Sequence, residues 1–459
     1  MSDNRILIAL IVGLVLLIGL IVKTKIHTFL ALIISALFIG VAGGMPYEEV
    51  IKSVTDGFGG TLGSIGIIIG FGVMMGQLFE ISNAAKRMAL TFIKIFGKGR
   101  EDLAMAITGF LVSIPIYCDS GFIILFPVAK ALSKNTRKSV ITLGLALASG
   151  LVITHTLVPP TPGPVGAAGI FGANVGAVIL WGIVIAIPMV LATLLYARYY
   201  GKKVYQLPDE NGDWIRPEIQ EESKIVDYKL DENEKMPSAT IAFLPIIVPI
   251  ILILINTIIG ALSKVKGFEI KGILSTFVFL GTPIVAVGIG LVIAIITLTK
   301  NMSRDKVIKE LEVGIQSAGI IILVTGGGGA LGKVLTESGV GSDIATSISK
   351  MKINPLLLPF IISTLIRFIQ GSGTVAMLTS ASISAPIVLE LGVDPVFATL
   401  SACVGSVFFS YFNDSFFWVV NRSLGLTKAK EQIKGYSIIS TIAWAVGFVS
   451  IVILNLLFG

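Results

Sequence analysis

The chain of 459 residues is 54% hydrophobic and only 14% charged, with a mean hydropathy of +0.91. Soluble domains carry roughly 25% charged residues, so this chain lacks the side chains needed to cover a water-facing surface. Its net charge of +7 comes from short Lys/Arg clusters at the ends of apolar runs. No basic stripe interleaved with aromatics accompanies them, which excludes a nucleic-acid surface. The two cysteines, Cys118 and Cys403, lie in apolar segments and make neither a disulfide framework nor a metal-ligand spacing.

Apolar runs of about 20 residues, enough to span a bilayer, recur from end to end and predict an all-α polytopic membrane protein. The first, 5–22, exceeds the roughly 7–15-residue apolar core of a signal peptide and has no small-residue cleavage site behind it. It is expected to remain as a span. Further spans are expected at 26–43, 61–80, 139–157 and 176–200, then at 239–260, 273–299, 312–334, 395–412 and 436–458. The polar stretch 201–236 between the halves reads as a solvated linker loop. It divides the chain into membrane repeats at 1–200 and 237–459.

Two apolar regions, 103–132 and 355–386, are interrupted by small polar clusters: Cys118-Asp119-Ser120-Gly121 and Gln370-Gly371-Ser372-Gly373. Lys94, Lys98 and Arg100 precede the first region, and Lys130, Lys134, Arg137 and Lys138 follow it. Positive charge on both flanks places both ends inside, which predicts a re-entrant hairpin rather than a pair of short spans. Carried forward, the same rule puts 201–236 inside with Arg198, Lys202 and Lys203. Lys300, Arg304, Lys306 and Lys309 join them there, as do Arg422, Lys428, Lys430 and Lys434. Lys264, Lys266 and Lys271 fall outside, against the rule. The expected total is about ten transmembrane helices plus two hairpins, arranged as two inverted repeats. Faint self-similarity supports the repeat: 72–89 resembles 328–345, and SGFIILFP (120–127) resembles SGTVAMLT (372–379). In secondary transporters with such repeats the substrate lies near the midplane, where helices are broken.

The hairpin tips are therefore the first candidate site. Free N–H groups and helix N-termini there suit a carboxylate, and Ser120, Ser372 and Thr374 add hydroxyls beside Gly121, Gly371 and Gly373. Alternatively, these small residues serve only close helix packing. Arg367, three residues before Gln370 in an apolar run, suits bidentate capture of a carboxylate. It would otherwise snorkel to the interface or pair with an acid. Asp119 and Asp414 are intramembrane-type carboxylates, either of which could carry a proton or partner Arg367. His155 is a candidate proton relay or a satisfied structural histidine. Asn413 is a candidate hydroxyl ligand, and Glu80 reads as an interfacial capping charge. Pro159, Pro160, Pro162 and Pro164 predict a stiff extended loop. Residues 327–333 (GGGALGK) match part of a phosphate-binding loop. Val334 stands where the magnesium-ligating hydroxyl belongs, which dismisses nucleotide binding. No cofactor or metal site is expected.

Four stretches carry a resemblance to the gluconate permease (gluconate:proton symporter) family, which includes D-serine and related permeases. They are CDSGFIILFPVAKAL (118–132), THTLVPPTPGP (154–164), IRFIQGSGTVAMLTSASISAP (366–386) and FNDSFFW (412–418). The proline pattern His155-x-x-x-Pro159-Pro160-x-Pro162-Gly163-Pro164 is the most specific. The resemblance implies a multi-pass protein of the bacterial inner membrane that imports gluconate or a related sugar acid with protons. It also implies a homodimer in which a mobile domain bearing two hairpins slides against a scaffold. A zwitterion such as D-serine as cargo, sodium coupling, a passive channel and an integral-membrane enzyme are the competing possibilities. The last has neither paired catalytic carboxylates nor a nucleophile with a base to support it.

Overall fold

A computed structural model describes residues 4–24, 26–96, 99–209, 214–217, 236–266, 268–338 and 354–458. The first half contains helices α1 (Asn4–Val22), α2 (Thr28–Gly43), α3 (Tyr47–Ile81), α4 (Ala84–Phe96), α5 (Glu101–Val112), α6 (Cys118–Thr136), α7 (Val140–Leu157), α8 (Pro162–Phe171) and α9 (Val175–Lys203). Two short strands, β1 (Leu207–Pro208) and β2 (Trp214–Ile215), follow. The second half contains α10 (Ala239–Lys266), α11 (Ile273–Leu280), α12 (Pro283–Leu298), α13 (Arg304–Glu337), α14 (Leu357–Gln370), α15 (Gly373–Val388), α16 (Pro395–Gly405), α17 (Ser415–Ser423), α18 (Ala429–Gln432) and α19 (Ile438–Phe458).

Six helical segments among the described residues are long and apolar enough to cross a bilayer, or seven if the bent pair α11–α12 counts as one. Long helices are what hydrocarbon demands, because no water is present there to satisfy backbone groups. Large aliphatic side chains such as Val15, Leu195 and Leu456 are exposed, as expected where the surrounding solvent is lipid. At 35 and 34 residues, α3 and α13 are each about 50 Å long, well beyond the ~30 Å hydrocarbon layer. They pack along each other. The 327–333 glycine run lies inside α13, where it is a continuous helix rather than a phosphate-binding loop.

Several spans differ from expectation. The 273–299 segment is two helices bent by 70° at Gly281-Thr282, because Pro283 opens a new helix there. The 395–412 segment is helical only to Gly405, and 406–414 runs irregularly to α17. In the first hairpin region the break lies at 113–117, and Cys118–Gly121 form the first turn of α6 instead of the interruption. The second region does break at Gly371-Ser372. The prolines interrupt the helix only at 158–161. Pro162 stands at N1 of α8, where its missing N–H costs nothing, and Pro164 is helical. The amphipathic helix α4 was not foreseen. Residues 339–345 of the second self-similar segment, and most of 210–235, lie outside the described residues.

The resulting element order repeats. A broken pair, a broken helix and an unbroken helix follow one another as α5–α6, α7–α8 and α9, and again as α14–α15, α16–α17 and α19. The two sets interlock, with α15 packed on α8 and α17 on α6. At the centre stands α7, every residue of which is buried except His155. Its approach to α5 is close: a Cβ on Gly150 would sit 2.1 Å from the Ala106 carbonyl oxygen. At the far end of α5, Lys138 Nζ bridges Glu101 (2.9 Å) and Asp102 (3.2 Å), and Asp102 also pairs with Arg198 of α9.

The linker is not simply solvated. Gln206 and Leu207 are buried, and the β1–β2 hairpin is strapped onto the protein. The Gln206 backbone accepts from Val140 N (2.9 Å), and its side chain donates to Leu424 O (2.6 Å). Arg216 donates to Gln206 Oε1 (2.9 Å) and forks onto both Glu431 oxygens (3.0 and 2.7 Å). Trp214 lies on Gly425, with Lys130 Nζ over its ring at 4.8 Å. The strap thus ties α6 and α7 of the first half to the α17–α18 turn of the second.

Gly150→Val should destabilise the protein by about 1–3 kcal/mol, read as a lowered unfolding midpoint in detergent. Gly63→Ala, whose added methyl meets nothing within 4 Å, should not lower that midpoint, since alanine is the better helix former. Gly425 has φ +68°, and a Cβ there would sit 2.1 Å from Trp214 Cδ1. Gly425→Val should therefore undock the strap, seen as faster proteolysis within 204–217 while the remaining fragments stay intact.

Candidate substrate cavity at the helix breaks

The broken elements bring their interrupted ends to one cavity of about 370 Å³, within the range of small-molecule sites. Its wall includes the N-termini of α6 (Cys118, Asp119), α15 (Ser372, Gly373, Thr374) and α17 (Asp414, Ser415, Phe416). Each such end presents unbonded N–H groups and the positive end of a helix dipole. The C-terminal ends of α7 (His155, Thr156) and α14 (Arg367, Gln370), together with Ser406, complete it.

Arg367 is buried, and two of its three guanidinium nitrogens are committed, while Nε has no hydrogen-bond partner among the described residues. Nη2 donates to Asp414 Oδ2 at 2.6 Å, and Nη1 donates to the Gly371 carbonyl. Asp414 is also buried. Its Oδ2 accepts from Ser410 Oγ, and its Oδ1 accepts from Phe416 N at 3.2 Å, capping α17. Of the two roles open to Asp414 on sequence, the geometry provides the partnership with Arg367. A buried pair of this kind tolerates loss of neither member, since the survivor is left charged and unsolvated.

The tip between α14 and α15 is built on the same contacts. Gly371 adopts φ +89°, and a Cβ there would sit 2.2 Å from the Asn413 carbonyl oxygen, so only glycine fits. Asn413 Nδ2 donates to the carbonyls of Phe368 (3.0 Å) and Ile369 (3.3 Å), and Tyr411 Oη also donates to Phe368 (2.8 Å). These donors satisfy the carbonyls that the end of α14 leaves open. Ser372 Oγ accepts from Val375 N at 3.3 Å as the N-cap of α15, and Ser372 N donates to Gln370 Oε1 at 3.1 Å. Asn413 is thus both a helix-end cap and part of the cavity wall.

Asp119 faces the same space. Its Oδ1 accepts from Ser415 Oγ at 3.2 Å and its Oδ2 from Cys118 Sγ at 3.6 Å. Among the described residues no ion pair engages it. His155 meets the Tyr117 ring at 5.6 Å between centroids, and its Nδ1 has no hydrogen-bond partner among the described residues. Among those residues no cluster of three or more His, Cys, Asp or Glu is placed to hold a metal ion.

Arg367, Gln370, Gly371, Ser372, Gly373, Thr374, Asn413, Asp119, His155 and Asp414 all line the cavity; Ser120 and Gly121 do not. Ser120 instead hydrogen-bonds Glu80 of α3, and Gly121 packs against Leu151. Glu80, read as an interfacial cap, is therefore a partner of α6. Sequence reasoning missed Tyr117, Thr156, Ser406, Ser415 and Phe416. Thr156 and Ser415 each adjoin a titratable residue at a helix break, and that adjacency was the available signal.

Residues 5–457 match the profile described as GntP family permease. An uncharacterized permease of Haemophilus influenzae is 46% identical over 99% of this chain and 93% of its own. The high-affinity gluconate transporter of Escherichia coli is 34% identical over 98% of this chain and 99% of its own. Among solved structures, the YdaH transporter of Alcanivorax borkumensis aligns with TM-score 0.60 at 14% identity, covering 94% of this chain and 98% of that one. At that identity the likeness concerns the fold alone. The apolar spanning helices and the permease relatives together make this a multi-pass protein of the bacterial inner membrane, a transporter and not an enzyme. The chain belongs to the GntP family of permeases.

Proposed function

We propose that this protein is a secondary symporter that imports gluconate or a related sugar acid together with protons. One observation carries the proposal: three helix N-termini and a buried arginine converge on a single hydroxyl-lined cavity that also contains Asp119. The N-termini of α6, α15 and α17 supply field and N–H donors for a carboxylate. Thr156, Thr374, Ser406 and Ser415 supply hydroxyls for a polyol. The named substrate of the Escherichia coli relative has both kinds of group. Arg367 contributes less by direct grip than by holding Gly371 and Asp414, so the tip keeps its shape.

The charges suggest the coupling. Arg367 and Asp414 cancel, and a substrate carboxylate entering beside an ionised Asp119 would bring two negative charges together in a poorly hydrated space. A proton on Asp119 removes that repulsion, so substrate and proton favour each other's binding by the same factor. Asp119 is therefore the proposed proton carrier, with His155 as a neighbouring relay. The two tip-bearing pairs, α5–α6 and α14–α15, are taken as re-entrant hairpins of two inverted repeats. In the working picture they move within one protomer of a homodimer, against a frame that includes α3 and α13.

Purified protein in proteoliposomes should accumulate labelled gluconate under an inward proton gradient, and a protonophore should abolish the accumulation. Accumulation driven by a sodium gradient instead would replace the coupling ion, and accumulation of D-serine alone would replace the cargo. Asp119→Asn should lose gradient-driven accumulation yet retain gluconate exchange across the membrane. If the variant still accumulates substrate, Asp119 is not the carrier. Arg367→Lys keeps the charge but loses the fork. It should raise the apparent KM roughly 10–100-fold, the size expected for losing one strong charged hydrogen bond.

A further inference from the structure

A second cavity, of about 500 Å³, lies on the other side of the α14–α15 tip. It shares Gln370, Ser372 and Asn413 with the first, so the tip is the partition between the two. Most of its remaining wall is aliphatic, including Ile320 and Val324 of α13, and His27 is the one titratable side chain lining it. His27 is also the N-cap of α2: its Nδ1 accepts the Phe29 N–H at 3.3 Å. A neutral imidazole that accepts at Nδ1 must carry its proton on Nε2, so the free end of His27 is a donor. The tip offers donors as well. Gln370 Oε1 is occupied by Ser372 N, which leaves its amide N–H groups as the free end, and Ser372 Oγ accepts from Val375 N, which leaves its O–H to donate. Three donors with no acidic neighbour in the lining suit an anion.

Resting on the sugar-acid proposal above, we infer that this cavity is a vestibular subsite. The carboxylate of a substrate in transit docks there between His27 Nε2 and the Gln370 and Ser372 donors, on one side of the tip. The aliphatic wall accepts the carbon chain. The two cavities take the same ligand in sequence, and the second holds it more weakly because two helix N-termini, those of α2 and α15, reach it against three at the first, and no arginine lines it.

Uptake by His27→Asn separates binding from capping. Asparagine is as good an N-cap as any residue but is too short to present a donor where Nε2 lies. A subsite predicts that KM for gluconate rises about tenfold, the loss of one bond to a charged group, with kcat changed by less than about twofold. A purely structural His27 predicts wild-type KM in this variant. An independent arm uses Ile320→Cys at an exposed position, with the unsubstituted protein correcting for any reaction at Cys118, which lines the first cavity. Gluconate should slow its reaction with a maleimide, and neutral glucose should not. Protection by glucose, or none at all, would each overturn the subsite. Failure of the wild-type protein to accumulate gluconate would instead remove the sugar-acid proposal on which the subsite rests.

Discussion

The ion pair between Arg367 and Asp414 joins two helix breaks that would otherwise be independent. One guanidinium reaches back to the carbonyl of Gly371 and across to the carboxylate that caps α17. A charge buried at membrane depth cannot relax toward water, so each member fixes the position of the other. The tip of α14–α15 and the irregular segment 406–414 are consequently one structural unit. Asn413 and Tyr411 reinforce it by bonding the open carbonyls of α14. The cavity exists because this unit holds the starts of α15 and α17 facing that of α6, whose Asp119 accepts from Ser415.

The cost of such a construction falls on the backbone. Helices that stop at membrane depth expose N–H and C=O groups that hydrocarbon will not solvate. The structure meets that demand from within. Side chains of 410–414 serve one break, the strap serves the outer end of α7, and the lysine–carboxylate cluster serves the base of α5. Among the groups left unbonded, His155 Nδ1 and Arg367 Nε belong to residues that line the cavity, where a polar ligand can complete them. Stability and binding thus draw on the same unsatisfied groups, and for this reason the site is found at the breaks and not along a continuous helix.

Much of this was legible in the sequence, and the omissions have definite causes. Spans of uniform apolarity, such as α9 and α10, declare themselves because lipid-facing and buried positions use the same residues. The polar cluster Gln370–Gly373 marks its break and Cys118–Gly121 lies just past the other, at 113–117, while Arg367, Asp119 and Asp414 stand out as charges where charge is expensive. The end of α16 at Gly405 was hidden because 406–412 is as apolar as a helix, its aromatic side chains packing around Phe368 and Trp418. Ser120 was placed at the site on proximity in sequence. The first turn of α6 instead rotates it toward Glu80 while Asp119 faces the cavity, since successive helical residues point about 100° apart. The strap is not legible because the polarity of 201–236 reads as solvation, whereas Gln206 is buried with hydrogen bonds to backbone groups.

The strap also changes how the two halves recognise one another. Its contacts are individually modest: one forked but partly exposed ion pair, a few amide bonds and an indole laid on a glycine. Between separate molecules such a set would bind weakly. Here the same covalent chain carries both surfaces, so docking is a unimolecular event whose effective concentration is set by a short tether. The connector between the halves is accordingly a ligand that the protein presents to itself. Contacts that would be feeble between separate molecules suffice to keep it seated, and while seated it completes the start of α7 through the Gln206 carbonyl.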